Sequence, residues 1–242
     1  MLNKQKTHRE VKYPQISARY LADYMAASER AARTIVRNCK YQPIARVVQH
    51  NEAKLAVGKH LREGKSDTGG LLAQAQTIRD RMADSDFDRD LFDHNADYIA
   101  RFADVFSELS LPEAERIAPG RVAPITSHGV KITAELQLRL RRLTKTNQIR
   151  VGAAMLRYAK GKPVGRAAAD WQAAFLHGYL RSIGVEDGAE VEHKLCLVID
   201  GYSGVCYDAP TNSVSRFKNM EAACASIAER WPNIAPPPGA VL

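Results

Sequence analysis

The chain has 242 residues, 45% hydrophobic and 26% charged, a composition with room for one large globular domain or two modest ones. No apolar run reaches the length of a membrane span, and the basic opening "MLNKQKTHREVKYP" lacks the apolar stretch of a secretory signal, so a soluble, cytoplasmic protein without a membrane partner is expected. Cys39, Cys196, Cys206 and Cys224 form no CxxC pair and have no histidine at zinc spacing, which points to free thiols in a reducing compartment.

The net charge of +8 is unevenly distributed. Residues 1–65 carry 14 Lys and Arg against 5 Asp and Glu, residues 66–116 carry 5 against 12, residues 117–192 carry 12 against 6, and the remainder 4 against 4. A basic block, an acidic block and a second basic block therefore follow one another along the chain.

Residues 1–14 read as a flexible basic tail. Ser17 is placed to cap a helix, with Ile16 and Leu21 as a hydrophobic staple, and Leu21, Tyr24, Met25, Ala32, Ile35, Val36 and Cys39 recur at helical spacing. Pro43 suits the first turn of a second helix running to about Leu61, which gives an αα-hairpin. After "GKSDTGG" a shorter helix is predicted from Leu71 to Met82. A long one, from Phe87 to Leu109, carries Phe87, Leu91, Tyr98, Phe102, Val105 and Leu109 along one side. "SLPEAERIAPGRVAP" closes a helical region of residues 15–112.

The period then changes from helical to alternating. Even positions from Val130 to Leu140 are apolar and odd positions from Lys131 to Arg141 polar, which predicts one long strand buried on one side. "TKTN" supplies a turn, and residues 148–158 return as a second strand of a long antiparallel hairpin. A helix from Arg166 to Ile183 stops at Gly184. "KLCLVIDGYSGVCYDAP" forms a second hairpin whose first strand is apolar on both sides and therefore central. Asn219 caps a final helix, and a Pro-rich tail occupies residues 233–242. The expected fold is α+β: a helical N-terminal region, then a domain of residues 117–232 with a mostly antiparallel sheet and two helices in the order ββαββα.

Three readings of function follow from these residues. The first is a nucleic-acid-associated binding or accessory protein. Arg30, Arg33, Arg37 and Lys40 fall within about 80° of helical arc, Arg46 lies at the hairpin tip, and Arg139, Arg141 and Arg150 share the polar side of the sheet hairpin. Guanidinium groups clustered in this way match the phosphates of DNA or RNA.

The second reading is a divergent metal-dependent nuclease. The order ββα followed by a further strand resembles the PD-(D/E)XK nuclease core, in which an acid on one strand and an acid-x-lysine on the next hold a divalent metal. Glu135 stands for the first acid, with Asp200 or Asp208 as further candidates. The second strand, "QIRVGAAMLRYAK", has no acid, so the resemblance implies a degenerate site. Only this reading needs a cofactor, the divalent metal.

The third reading is a protein-interaction module in which the acidic helix and the basic hairpin engage a partner or a second copy of the chain. Asp86, Asp90, Asp93, Asp97 and Asp104 form a stripe bordered by His94, of which Asp90, His94 and Asp97 are the candidate metal ligands. Two further motifs are set aside. "GKS" at residues 64–66 lacks the leading glycine of a phosphate loop, and only 42 residues follow Asp200, too few for an RNase H-like fold opening there.

Overall fold

The computed structural model describes residues 6–44 and 50–242. In chain order the elements are β1 (His8–Glu10), β2 (Gln15–Ser17), α1 (Ala18–Ala26), α2 (Glu29–Lys40), β3 (Tyr41–Pro43), α3 (Asn51–Glu63), α4 (Gly69–Arg79), α5 (Asp86–Val105), β4 (Glu115–Ile117), β5 (Ile125–Ser127), β6 (Val130–Thr133), β7 (Leu138–Leu143), β8 (Ile149–Arg157), α6 (Arg166–Ile183), β9 (Ala189–Asp200), β10 (Val205–Asp208) and α7 (Ser213–Arg230). The fold is α+β, with helices dominating the first half and the main sheet built from the second. Among the described residues no helix is long and apolar enough to cross a membrane.

A five-stranded sheet in the order β10-β9-β8-β7-β4 forms the centre. Its pairs are antiparallel except β8 with β9, which the crossover helix α6 makes parallel. The β7–β8 turn uses Asn147 at φ 59°, a left-handed conformation that asparagine tolerates, and is closed by Asn147 N–H donating to Thr144 O at 2.9 Å. In β8 the register with β9 shifts between Val151 and Ala153. A Cβ on the intervening Gly152 would lie 2.1 Å from the Leu195 carbonyl oxygen, so only glycine lets the two backbones approach here.

Both faces of this sheet are covered, which is why β8 and β9 are apolar on both sides. Ala153, Met155, Cys196 and Val198 turn to one side and pack with Leu21 of α1, Val36 of α2, Phe175 and Tyr179 of α6, and Met220 of α7. Ala154, Leu156, Leu197 and Ile199 turn to the other and pack with Val57 and Leu61 of α3, Leu71 and Ile78 of α4, and Tyr98 and Phe102 of α5. Each core thus draws on residues from both sides of the 112–117 segment.

The unbroken alternation from Val130 to Arg141 is two strands, not one. Val130–Thr133 belongs to a separate three-stranded sheet, antiparallel to β5 and parallel to β2, and only Leu138–Leu143 joins the main sheet. The chain crosses between them at residues 134–137. There the buried Gln137 replaces the ladder: its N–H donates to Ala154 O at 2.9 Å, and its side-chain oxygen accepts from Leu156 N at 2.8 Å. The apolar positions stay in phase but serve different cores, Val130 and Ile132 one and Leu138 and Leu140 the other.

Two local expectations at the N-terminal side also change. The first long helix is two, α1 and α2, broken where Ser28 caps a new start by accepting from Ala31 N. Pro43 does not open a helix but ends β3, which pairs antiparallel with β1, so residues 8–10 are ordered strand. Beyond them, Thr7 and His8 donate to the Val241 carbonyl at 2.9 and 3.1 Å, tying the Pro-rich C-terminal segment back to the first strand.

Candidate functional site

The basic residues singled out from the sequence fall into three environments. Arg30, Arg33 and Arg37 line an open groove of about 1130 Å³ between α2 and the end of α7, where Arg230 joins them. Glu29 pairs with Arg33 at 3.0 Å and Arg230 at 3.5 Å, and Glu229 also borders the groove. The Nε of Arg37 is shielded from solvent and has no hydrogen-bond partner among the described residues.

Lys40 is not on this surface. It is buried, and its ammonium donates to the carbonyls of Trp231, Pro232 and Ile234 at 2.9, 3.3 and 3.2 Å, with Glu10 at 3.4 Å. A cation there satisfies the orphaned carbonyls just beyond α7. Helical arc placed Lys40 beside Arg37, but arc alone does not register what packs against the last turn. Arg46 lies outside the described residues.

On the sheet, each arginine meets its own acceptor. Arg141 donates to Glu186 at 2.8 Å and lies 3.8 Å from Glu115, Arg142 pairs with Glu192, Arg150 pairs with Glu190, and Arg139 donates to Pro119 O at 3.1 Å. The glutamates come from β4, the loop before β9, and β9, so the second basic face is balanced by neighbouring strands.

The acidic candidates do not converge. Asp97 is held by Arg79 at 2.7 Å and Lys160 at 2.8 Å, and the Lys160 hydrogen bond leads the forces that keep its carboxyl below the usual range. Asp90 lies on the exposed side of α5, and His94 Nδ1 is 2.6 Å from its backbone oxygen, not its carboxylate. Asp200 is buried and its oxygens are taken up by the turn it begins and by the segment before α6, accepting from Tyr202 N, Ser203 Oγ and Val164 N at 3.0, 2.8 and 2.8 Å. Asp208 is exposed at the opposite end of the β9–β10 hairpin, across from Leu197. Glu135 pairs with Lys54 at 2.7 Å and accepts from Gln137 at 3.4 Å. Among the described residues no three His, Cys, Asp or Glu side chains are grouped to hold a metal ion.

The structure also assembles a cleft of about 440 Å³ that sequence reasoning missed. Its wall is formed by the first turns of α1 (Ala18, Arg19, Tyr20) and α3 (Asn51, Lys54), by Tyr98 of α5, by Glu135 in the crossing segment, and by Tyr158 just past β8. Tyr98 and Tyr158 stack with ring centroids 3.8 Å apart and 12° between planes, and the His50 ring meets both edge-on at 5.5 and 5.6 Å. Neither the Tyr98 hydroxyl nor His50 Nδ1 has a hydrogen-bond partner among the described residues. Burial, reinforced by Glu135, holds the Tyr98 phenol well above its ordinary range, so it stays protonated. Burial also lowers the His50 pKa, helped by His94, Lys54 and Arg19, which keeps the imidazole neutral at pH 7. Six separate chain segments contribute, Gln172 of α6 among them, and Tyr98 sits on the apolar stripe of α5, so periodicity reads it as core and nothing local marks it as a cleft residue.

The sequence matches no protein-family model, and no curated protein was found that resembles it.

Proposed function

We propose that the protein binds nucleic acid through the groove lined by Arg30, Arg33, Arg37 and Arg230, acting as a binding or accessory protein. The observation that carries this reading is Arg37: a guanidinium N–H withdrawn from water without an acceptor costs free energy until a group such as a phosphate oxygen reaches it. A second observation supports it. The acidic helix α5 packs on the opposite face of the sheet from α2, and Asp97 is occupied by Arg79 and Lys160, so its charge does not offset the α2 arginines. The arginines of the sheet hairpin each have an acceptor of their own, whereas Arg33 and Arg230 share the one Glu29, so the hairpin is not part of the proposed surface.

The test is binding of a fluorescent single strand and a duplex in EDTA across a salt series. Saturable binding that weakens linearly in log salt is expected, with affinity and salt slope both reduced in Arg33→Ala/Arg37→Ala, the slope by about 1 to 2. Absence of binding at low salt would leave the groove to a protein partner. Metal-dependent nicking of plasmid, abolished by Glu135→Gln, would replace this reading with a nuclease.

A further inference from the structure

We propose that the cleft between α1, α3 and α5 is a binding site for a phosphate monoester. This site is separate from the α2 groove, and the inference does not depend on the function assigned to that groove.

Four features of the cleft converge on an anion with several oxygens. The helices α1, of nine residues, and α3, of thirteen, both begin on it, so the positive ends of two helix dipoles face one volume. Arg19 and Lys54 stand on those first turns and add two cationic donors. Tyr98 lines the cleft and is 1% exposed, yet its hydroxyl, a protonated donor, has no partner among the described residues. A buried hydroxyl without an acceptor costs about 1 to 3 kcal/mol, a cost that a ligand oxygen removes. His50 Nδ1 is likewise unpartnered, and a neutral imidazole with its proton on that nitrogen donates from a different direction. Donors arriving from helix ends, a guanidinium, an ammonium, a phenol and an imidazole suit a tetrahedral dianion better than a planar carboxylate with two oxygens.

Glu135 supplies the sign of the test. Its carboxylate, on the exposed rim, holds Lys54 at 2.7 Å. It therefore occupies the ammonium as an internal anion that a phosphate must displace. The volume also exceeds that of inorganic phosphate, and Tyr20, half exposed at the mouth, offers an aromatic face to the organic part of the ester. Two sources share this chemistry: a free nucleoside monophosphate, and the terminal phosphate of a strand.

The full-length chain is titrated by calorimetry with inorganic phosphate, AMP, and a short oligonucleotide bearing either a 5′-phosphate or a 5′-hydroxyl. Saturable binding of phosphate and AMP is expected. A preference for the 5′-phosphorylated strand identifies a strand end as the source, and equal binding of the two strands assigns the site to the free ester. Lys54→Ala and Arg19→Ala each weaken AMP binding by about tenfold or more, whereas Glu135→Gln tightens it. Tyr98→Phe weakens AMP binding while leaving the unliganded protein as stable as the parent or more so, a combination that a purely structural tyrosine does not produce. The proposal is overturned if neither phosphate nor AMP binds at low ionic strength, if Glu135→Gln weakens AMP, or if Tyr98→Phe leaves AMP affinity unchanged. Loss of AMP binding in Arg33→Ala/Arg37→Ala would move the anion to the groove and equally overturn the assignment to the cleft.

Discussion

His177 lies on α6, buried to 2% exposure, with its ring stacked on that of His193 at 4.1 Å and 18°. Burial first, then the positive fields of His193 and Arg181, lower its pKa from 6.5 to about 4, against a backbone hydrogen bond at Val191 that works the other way. The folded state therefore binds its proton less readily than the unfolded chain. Stability from this group is fully present above pH 6.5 and is lost as pH falls from 6.5 towards 4. At about 1.4 kcal/mol per pH unit the full loss is about 3 kcal/mol, and between pH 7 and 4.5 it is about 2.5 kcal/mol. His177→Leu removes the titrating ring together with its hydrogen bond at the Val191 backbone, a fixed cost that is the same at every pH. Urea unfolding of parent and variant at pH 7, 6, 5 and 4.5 measures the difference, in which titrating groups remote from the His177 ring cancel, the stacked His193 excepted. The variant should gain on the parent by about 2.5 kcal/mol over that range. Parallel curves would refute the idea that His177 is held neutral by the fold.

Three further outcomes are expected. Lys40→Met strands the carbonyls of Trp231, Pro232 and Ile234 and should cost about 3 kcal/mol in urea unfolding; unchanged stability together with weaker DNA binding would return Lys40 to the binding surface. Gly152→Ala drives a methyl group into the Leu195 carbonyl and separates β8 from β9, a loss of about 3 kcal/mol or more visible as a lowered melting temperature. Burial pushes the thiols of Cys39 and Cys224 up to about 11, Cys206 up to about 12 and Cys196 higher still, so native protein at pH 8 should react slowly with Ellman's reagent and release four equivalents only in guanidinium. Rapid stoichiometric reaction of the native protein would contradict that burial.

Features fixed by local pattern were legible in the sequence. The Asn147 turn, the helix ending at Gly184, the apolar run of β9 and the Ser17 cap all follow from residues within a few positions of one another. Features set by distant partners were not. Gln137 looks like any polar position of an alternating strand, and only the Leu156 amide it receives reveals that the strand ends there. Lys40 follows Arg37 around a helix by arc, and only the end of α7 explains its burial. The α2 arginines were visible as a cluster, but the sheet arginines had glutamates from β4, β9 and the loop before it waiting for them. The cleft is the extreme case, since Arg19, Lys54, Tyr98, Glu135 and Tyr158 meet only after both faces of the sheet are covered.

The parallel pairing of β2 with β6 joins Ile16 to Ile132, and the helices that follow β2 rest on strands completed only at Asp200. During synthesis the apolar sides of α1 to α5 therefore leave the ribosome long before the surface that covers them exists. At about 5 to 20 residues per second, the interval from the end of α5 to the end of β9 lasts roughly 5 to 20 s. Through that interval the nascent chain carries Leu21, Val57, Tyr98 and Phe102 without their final partners, so the order of synthesis leaves apolar surface open to association with other chains until β9 is complete.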